Sequence, residues 1–131
     1  MKRAKIIGLA LGLILSLNGV TAFASNTDRP FEFQLFLNQG NNYTVSRQKE
    51  TGNDWSYVKN FETTYTSKVT YWIADDNKTQ ISQDVSIGPF SSFHTMYYNI
   101  DANAGDWVRL GAENYYNVSS YAYANGVVDY D

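Results

Sequence analysis

The sequence contains no cysteine and a single histidine among its 131 residues. Without cysteine, the chain cannot form a disulfide framework, a thiolate metal site or a cysteine nucleophile. Because only one histidine is present, most histidine-based catalytic and metal-binding arrangements are excluded as well. Thirteen Asp and Glu residues outnumber ten Lys and Arg. Since nucleic-acid affinity depends on clustered basic side chains, we expect no nucleic-acid partner.

The first 24 residues differ in composition from the rest of the chain. They combine a basic start, an apolar run over residues 6–17, and the small residues Ala22 and Ala24 before the expected cut. This pattern is typical of a secretory signal peptide and predicts export by the Sec route with cleavage after Ala24. The apolar run is shorter than the roughly 20 residues that a spanning helix needs. We therefore expect a secreted, extracellular chain with no membrane span and no lipid anchor, from a Gram-positive source.

After the signal, the chain alternates between strand-like segments and turns. Residues 25–30 form a polar leader that we expect to be mobile, and residues 31–131 form a single domain. Asn125-Gly126 lies between two alternating segments and predicts a tight hairpin. Apolar and polar residues alternate with a period of two, as in half-buried strands, in segments 31–37, 43–48, 55–61, 67–74, 79–87, 93–100, 107–113, 118–124 and 127–130.

Helical periodicity is absent outside the signal segment, whereas Thr, Tyr, Val and Trp are abundant, and these residues favour pleated, half-buried surfaces. The sequence therefore predicts an all-β fold. The expected architecture is an antiparallel β-sandwich, or a small barrel, of about eight strands. The many aromatic residues allow a dense core without disulfides, since each large ring buries roughly 150–250 Å².

Candidate catalytic residues are few. His94 would need an orienting carboxylate and a nucleophile nearby, and the neighbouring Ser91 and Ser92 lack a G-x-S-x-G elbow. Glu113, at the end of an apolar strand, is the least ordinary carboxylate for a glycosidase pair. Most aspartates lie in turns, where local hydrogen bonding favours them. We therefore expect a non-enzymatic protein with no catalytic residue and no cofactor.

Two acidic loops invite comparison with calcium sites. An EF-hand needs Gly at position six and Glu at position twelve, but a loop that begins at Asp101 has Asp106 and Ala112 there. We therefore predict no metal site, while an oxygen-ligand site of another type is left open in either loop. The side chains concerned are Asp101, Asn103 and Asp106 in one loop, and Asp75, Asp76 and Asn77 in the other.

Aromatic side chains offer a third kind of site. Trp72 alternates with Tyr71 and Ile73, so both faces of that segment carry large rings, and exposed apolar patches usually mark interaction sites. Such rings could stack on sugars of the cell envelope or of another polysaccharide, or they could simply pack in the core. An exposed edge or face could also support a homodimer. Our candidate ligand-contact residues are Trp72, Trp107, Tyr115 and Tyr116.

Four segments together carry a family resemblance: residues 21–24, 31–33, 69–73 and 107–116. They resemble a domain-of-unknown-function family of small secreted proteins from Gram-positive bacteria (Firmicutes), over essentially the whole mature chain. That resemblance implies no activity, ligand or catalytic residue. A more distant likeness, through residues 104–107 and the tyrosine pair that follows, is to cysteine-free β-sandwich bacteriocins of the lactococcin-972 type, whose histidine-rich middle this chain lacks.

These observations lead to one main hypothesis and three alternatives. The main hypothesis is a secreted, non-enzymatic β-sandwich that acts by surface contact at the cell envelope or outside the cell. One alternative is a bacteriocin-like antibacterial toxin. Another is a module that binds wall glycan or another polysaccharide. The last is a hydrolase that uses Glu113 or His94.

Overall fold

The computed structural model describes residues 27–131, which form nine strands and a short 3-10 turn at Leu37–Gln39. The predicted signal peptide over 1–24, and the start of the predicted leader, lie outside the described residues. The strands are β1 (Arg29–Leu35), β2 (Asn42–Tyr43), β3 (Arg47–Gln48), β4 (Trp55–Thr64), β5 (Val69–Asp75), β6 (Val85–Ile87), β7 (His94–Tyr97), β8 (Trp107–Asn114) and β9 (Ala122–Asp129).

The strands form two antiparallel sheets that pack face to face. The four-stranded sheet has the order β1-β9-β4-β7, and the five-stranded sheet has the order β2-β8-β5-β6 with β3 also paired to β8. The prediction of an all-β antiparallel sandwich is confirmed, with nine strands instead of about eight. Across residues 27–131, no helix has the length and apolar character that crossing a bilayer requires.

The core lies between the sheets and is built by alternation. Phe31, Phe33 and Leu35 of β1 are buried, and the residues between them are exposed. The Phe31 ring lies 5.5 Å from the ring of Phe33 and 5.4 Å from that of Tyr71, which β5 contributes from the opposite sheet. Burial of these rings holds the two layers together without covalent cross-links.

The first strand begins earlier than predicted. Arg29 and Pro30, which we expected in a mobile leader, pair with Val128 and Val127 of β9. β1 is an edge strand of its sheet, and this is the position in which a proline, having no N–H to donate, can be accommodated. Polar composition alone therefore placed the start of the first strand two residues too late.

The predicted Asn125-Gly126 hairpin is wrong, because β9 runs through both residues without turning. Gly126 lies opposite Asn60, next to a bulge in β4 between Asn60 and Glu62. A Cβ at Gly126 would lie 2.0 Å from the main-chain oxygen of Lys59. This glycine therefore allows two backbones to approach closely, which is another reason for a strand to contain glycine.

Two predicted strands are shorter than their alternating patterns. Segment 43–48 divides into β2 and β3, and segment 79–87 keeps regular pairing only at β6, with isolated bridges from Gln80 and Ser82. In the second case the Ser82 hydroxyl accepts a hydrogen bond from the N–H of Ile73, at 2.7 Å, in place of a main-chain partner. A side chain has thus replaced part of the ladder.

Candidate functional site

Trp72 does not lie on the free surface where we expected it. It is on the outward side of β5 but is only 4% exposed, because its ring lies flat against the cross-strand Gly111. Tyr43 covers one edge of the indole, with ring centroids 6.0 Å apart and planes at 86°. Since no face of this indole is open to a sugar, Trp72 belongs to the packing of the five-stranded sheet.

Trp107, Tyr115 and Tyr116 are exposed, but they do not form one surface. Trp107 begins β8, whereas the two tyrosines follow its last residue, Asn114. A strand of this length spans about 25 Å. The tyrosine rings meet edge to face, with centroids 4.9 Å apart and planes at 85°. They therefore offer no flat platform shared with the tryptophan.

The two acidic loops come together in space. Asp75, Asp76 and Asn77 line the same shallow depression of about 270 Å³ as Asp106 and Trp107.

Two carboxylates of these loops, those of Asp75 and Asp106, accept hydrogen bonds from main-chain N–H groups of their own turns. Oδ1 of Asp75 accepts hydrogen bonds from the N–H groups of Asn77 and Thr79, both at 2.9 Å. Oδ2 of Asp106 accepts one from the N–H of Asn103, at 2.8 Å. These are the local bonds for which turns favour aspartate. Within the described part of the chain, no three His, Asp or Glu residues are grouped so as to hold a metal ion.

Asp76 is held by Ser46, between β2 and β3, and by Arg109 of β8. Its Oδ1 accepts hydrogen bonds from the hydroxyl of Ser46 and from the guanidinium of Arg109, the latter at 3.0 Å. These bonds, the one from Ser46 first, lower the pKa of the Asp76 carboxyl.

The candidate catalytic residues are dispersed. His94 is exposed on β7 opposite Val58, and the Ser91 hydroxyl accepts a hydrogen bond from the N–H of Asn60 at 2.9 Å. Glu113 lies on the outward side of the other sheet, opposite Thr70. Burial, and then the charge of Asp84, raises the pKa of the Glu113 carboxyl. The Ser91 hydroxyl is therefore a hydrogen-bond partner of the β4 main chain.

The outward side of the four-stranded sheet carries several exposed rings. We call this surface the aromatic face and define it by Trp55, Tyr57 and Phe61 with Phe93 and Tyr97. All five are exposed or half-buried, and Tyr97 is 55% exposed. Cross-strand pairing places Trp55 beside Tyr97.

Buried polar groups explain why these rings point outward. The inward side of β4 carries Ser56, Val58 and Asn60, all fully buried. The Asn60 side chain accepts a hydrogen bond from the Tyr71 hydroxyl at 2.9 Å and donates one to the main-chain oxygen of Gly88 at 3.0 Å. Because these polar groups are satisfied inside, the alternation sends the rings of β4 to the surface.

A lysine lies near two rings of the aromatic face. The Lys59 ammonium lies 5.5 Å from the ring centroid of Phe93 and 5.8 Å from that of Phe61. Tyr57 and Phe93 meet at 6.4 Å with planes at 74°. The surface therefore combines apolar ring area with a charged hydrogen-bond donor at Lys59.

A carboxylate lies at the border of this face. Asp129 lies opposite Tyr57 in the pairing of β9 with β4, and both line a depression of about 310 Å³ together with Asp28 and Phe93. Asp129 is only 5% exposed, and its buried Oδ1 has no hydrogen-bond partner. Such an oxygen is costly unless something donates to it.

The electrostatic surroundings of Asp129 are acidic. The pKa of its carboxyl is raised to about 6, first by burial and then by the charges of Glu50, Asp131 and Asp28, while Lys49 opposes the shift. This combination of desolvation and like charge is typical of functional sites.

The sequence contains the alternating pattern of the aromatic face, but none of our candidate ligand-contact residues belongs to it. Trp55, Tyr57 and Phe61 alternate along one side of the predicted strand 55–61, and Phe93 and Tyr97 share one side of segment 93–100. That alternation was the available signal. It does not say which side faces the core, and ring hydrophobicity alone favours the wrong answer for β4.

Comparison with known proteins adds no family or function. No protein-family model matches the chain, and no curated protein matches it. Among solved structures, the chain is similar to one titled "Crystal structure of PirA", with a TM-score of 0.46 and 12% sequence identity. The alignment covers 82% of this chain and 98% of that chain.

Proposed function

We propose that this is a secreted, non-enzymatic protein that acts by surface contact, and that its aromatic face binds polysaccharide at the cell envelope or outside the cell. The observation that carries the proposal is the orientation of the side chains of β4. Its aromatic side is turned outward, while Ser56 and Asn60 occupy the interior. Exposed rings of this kind usually mark an interaction surface.

Polysaccharide suits the chemistry of the face. The C–H side of a sugar ring packs against aromatic rings, and its hydroxyl groups need both donors and acceptors. Lys59 supplies a donor between Phe61 and Phe93, and Asp129 supplies an unpaired acceptor at the border. A few oriented polar groups among apolar ones are the usual composition of a ligand site.

Export is part of the proposal and rests on the leader. A basic start, an apolar run and Ala22 and Ala24 before the cut support Sec-dependent secretion with removal of residues 1–24. We expect the intact mass and the N-terminal sequence of the exported chain to show that it begins at Ser25. Exported chains that retain Met1 would contradict the predicted cleavage.

Retention on insoluble glycans tests the binding proposal. The purified protein is incubated with Gram-positive wall sacculi, cellulose, chitin and xylan, and the bound fraction is measured. We expect retention on at least one of them, and we expect replacement of Phe93 and Tyr97 by Ala to abolish it. Trp107→Ala is the matched control, because it removes an equally exposed ring from the other sheet.

Two outcomes would contradict the proposal. Retention that is lost in Trp107→Ala but survives the double replacement would place binding at the β8 end of the other sheet. No retention on any glycan, together with growth inhibition of Gram-positive cells, would favour the antibacterial alternative.

A further inference from the structure

The depression lined by Asp129 has a burial and a charge that go beyond the simple acceptor used in the polysaccharide proposal. It is lined by Asp129, which is only 5% exposed, together with Asp28 before β1, Tyr57 of β4 and Phe93 before β7. No group of the described fold donates a hydrogen bond to the buried Oδ1 of Asp129. A carboxylate that lines a depression and lacks a donor is stabilised by a donor that binds there.

Carboxylates outnumber cations around this oxygen. Asp28, Glu50 and Asp131 act on Asp129, and the opposing cation is Lys49.

The nearby cations have partners of their own. Lys49 is buried, and its ammonium donates to the main-chain oxygen of Asp131. Arg29 lies 4.0 Å from Glu50, and Lys59 lies over the ring of Phe93. The depression therefore keeps an excess of negative charge.

A primary ammonium group satisfies each requirement of the depression. It brings several N–H donors for the Asp129 carboxylate and a positive charge for the surrounding acids. The ring of Tyr57 adds cation–π attraction in a partly desolvated position. A neutral hydroxyl supplies only the donor, and an acetylated amine supplies one N–H without the charge.

We propose that the depression formed by Asp28, Tyr57, Phe93 and Asp129 is a subsite for a primary ammonium group carried by a glycan, as in an amino sugar that is not acetylated. This inference rests on the proposed function and names its ligand class. The neighbouring rings of the aromatic face hold the rest of the sugar chain.

Three trisaccharides with the same β-1,4 linkage test the subsite, because they differ only at carbon 2. They are the glucosamine trimer, the N-acetylglucosamine trimer and cellotriose, each titrated into the purified protein by calorimetry at about pH 7. We expect the glucosamine trimer to bind at least tenfold more tightly than either of the others, roughly the effect of one charge-assisted hydrogen bond. Equal or weaker binding of the glucosamine trimer would overturn the subsite.

Variants locate the effect. Asp129→Asn keeps the size of the side chain and should remove the preference for the free amine, whereas Asp101→Asn, at an exposed aspartate outside the depression, should not. Circular dichroism confirms folding. Should Asp129→Asn not fold, Asp28→Asn replaces an exposed acid of the same depression and should reduce the preference. Unchanged selectivity in folded Asp129→Asn, or in Asp28→Asn where that variant is the one used, would overturn the assignment.

Acidity supplies a second readout. The amine gains charge as the pH falls, so a simple electrostatic surface would bind it more tightly at about pH 5 than at about pH 7. At the proposed subsite the affinity should fall instead, because Asp129 becomes protonated and loses its negative charge. The charges of Asp28, Glu50 and Asp131 favour this protonation. Tighter binding at the lower pH would contradict the subsite.

Failure of the subsite and failure of the proposed function are distinguishable. If cellotriose or the N-acetylated trimer binds as well as the amine, the aromatic face still binds glycan and only the subsite is wrong. If no trimer binds and no insoluble glycan retains the protein, both are wrong. Tighter binding of trilysine than of the glucosamine trimer would assign the depression to a peptide and overturn the glycan assignment.

Discussion

The indole of Trp72 lies against Gly111, its cross-strand partner, so closely that a Cβ at residue 111 would be 2.3 Å from Cε2 of the ring. Glycine has no side chain to pack on the sheet, and a tryptophan that covers it fills the empty space with apolar contact. This pairing explains how a ring on the outward side of a sheet becomes almost completely buried.

The first prediction concerns this pair. We expect Gly111→Ala to destabilise the protein by about 1–3 kcal/mol, because the added methyl displaces the indole, and Trp72→Ala to cost about 3–5 kcal/mol. The double variant should lose less than the sum, since removal of the ring makes room for the methyl. Urea unfolding measures all three. Gly52→Ala is the control, since nothing lies within 4 Å of a Cβ there, and strict additivity would contradict the account.

A second prediction concerns Gly126. Its added Cβ would meet the main-chain oxygen of Lys59 at 2.0 Å and Cζ of Phe31 at 2.9 Å. Because backbone cannot move aside as a side chain can, Gly126→Ala should cost about 3 kcal/mol or more, above the cost at Gly111. Its effect on the urea midpoint provides the comparison. A neutral effect would show that the close approach of β9 to the β4 bulge is not essential.

The third prediction follows from the buried hydrogen bond between Tyr71 and Asn60. Tyr71→Phe removes the donor and leaves Oδ1 of Asn60 without it inside the core, so we expect a loss of about 1–3 kcal/mol. Tyr65→Phe makes the same chemical change at a ring that is 76% exposed and should be nearly neutral. If the two variants were equally stable, the polar interior of β4 would not need its partner from β5.

A fourth prediction concerns pH and Asp129. Folding raises the pKa of this carboxyl from its ordinary 3.8 to about 6, so the folded state binds more protons between these values. Stability from this group should therefore be present at low pH and be lost as the pH rises through that window. Asp129→Asn should remove this loss and raise stability at neutral pH by about 1–3 kcal/mol.

The test is to measure the free energy of unfolding of the wild type and of Asp129→Asn at several pH values across this window. The difference between wild type and Asp129→Asn isolates Asp129 from the other acids. A variant that is less stable at neutral pH, with an unchanged dependence on pH, would contradict the assigned burial cost.

Much of the fold follows from period-two patterning, which is local. The alternation of Phe31, Phe33 and Leu35 located β1 because the pleat alone sends these side chains to one side. The error at Asn125-Gly126 has a different origin. The same dipeptide suits a tight turn or a close backbone approach, and only the distant bulge of β4 decides between them. The residues around Asn125-Gly126 do not indicate that β9 will lie against the bulge of β4.

The candidate site was less predictable for a related reason. Alternation places Trp55, Tyr57 and Phe61 on one side of their strand, and it does the same for Phe93 and Tyr97, but it does not join the two sets. The exposure of the β4 rings depends on Ser56 and Asn60 being satisfied by distant groups, including the Tyr71 hydroxyl. The acidity around Asp129 is likewise assembled from segments far apart in the chain. Trp72 was misplaced because the ring that fills the space above Gly111 cannot be recognised without the strand order.

Hydrogen exchange of the protein bound to an insoluble glycan that retains it tests the central claim most directly, because it reports which strands the ligand covers. The account predicts slower exchange on binding in peptides from β4 and β7, which carry the rings of the aromatic face. Peptides that contain Trp107 or the Tyr115-Tyr116 pair should exchange as in the free protein. Protection confined to those two ends of β8, with β4 and β7 unchanged, would contradict it.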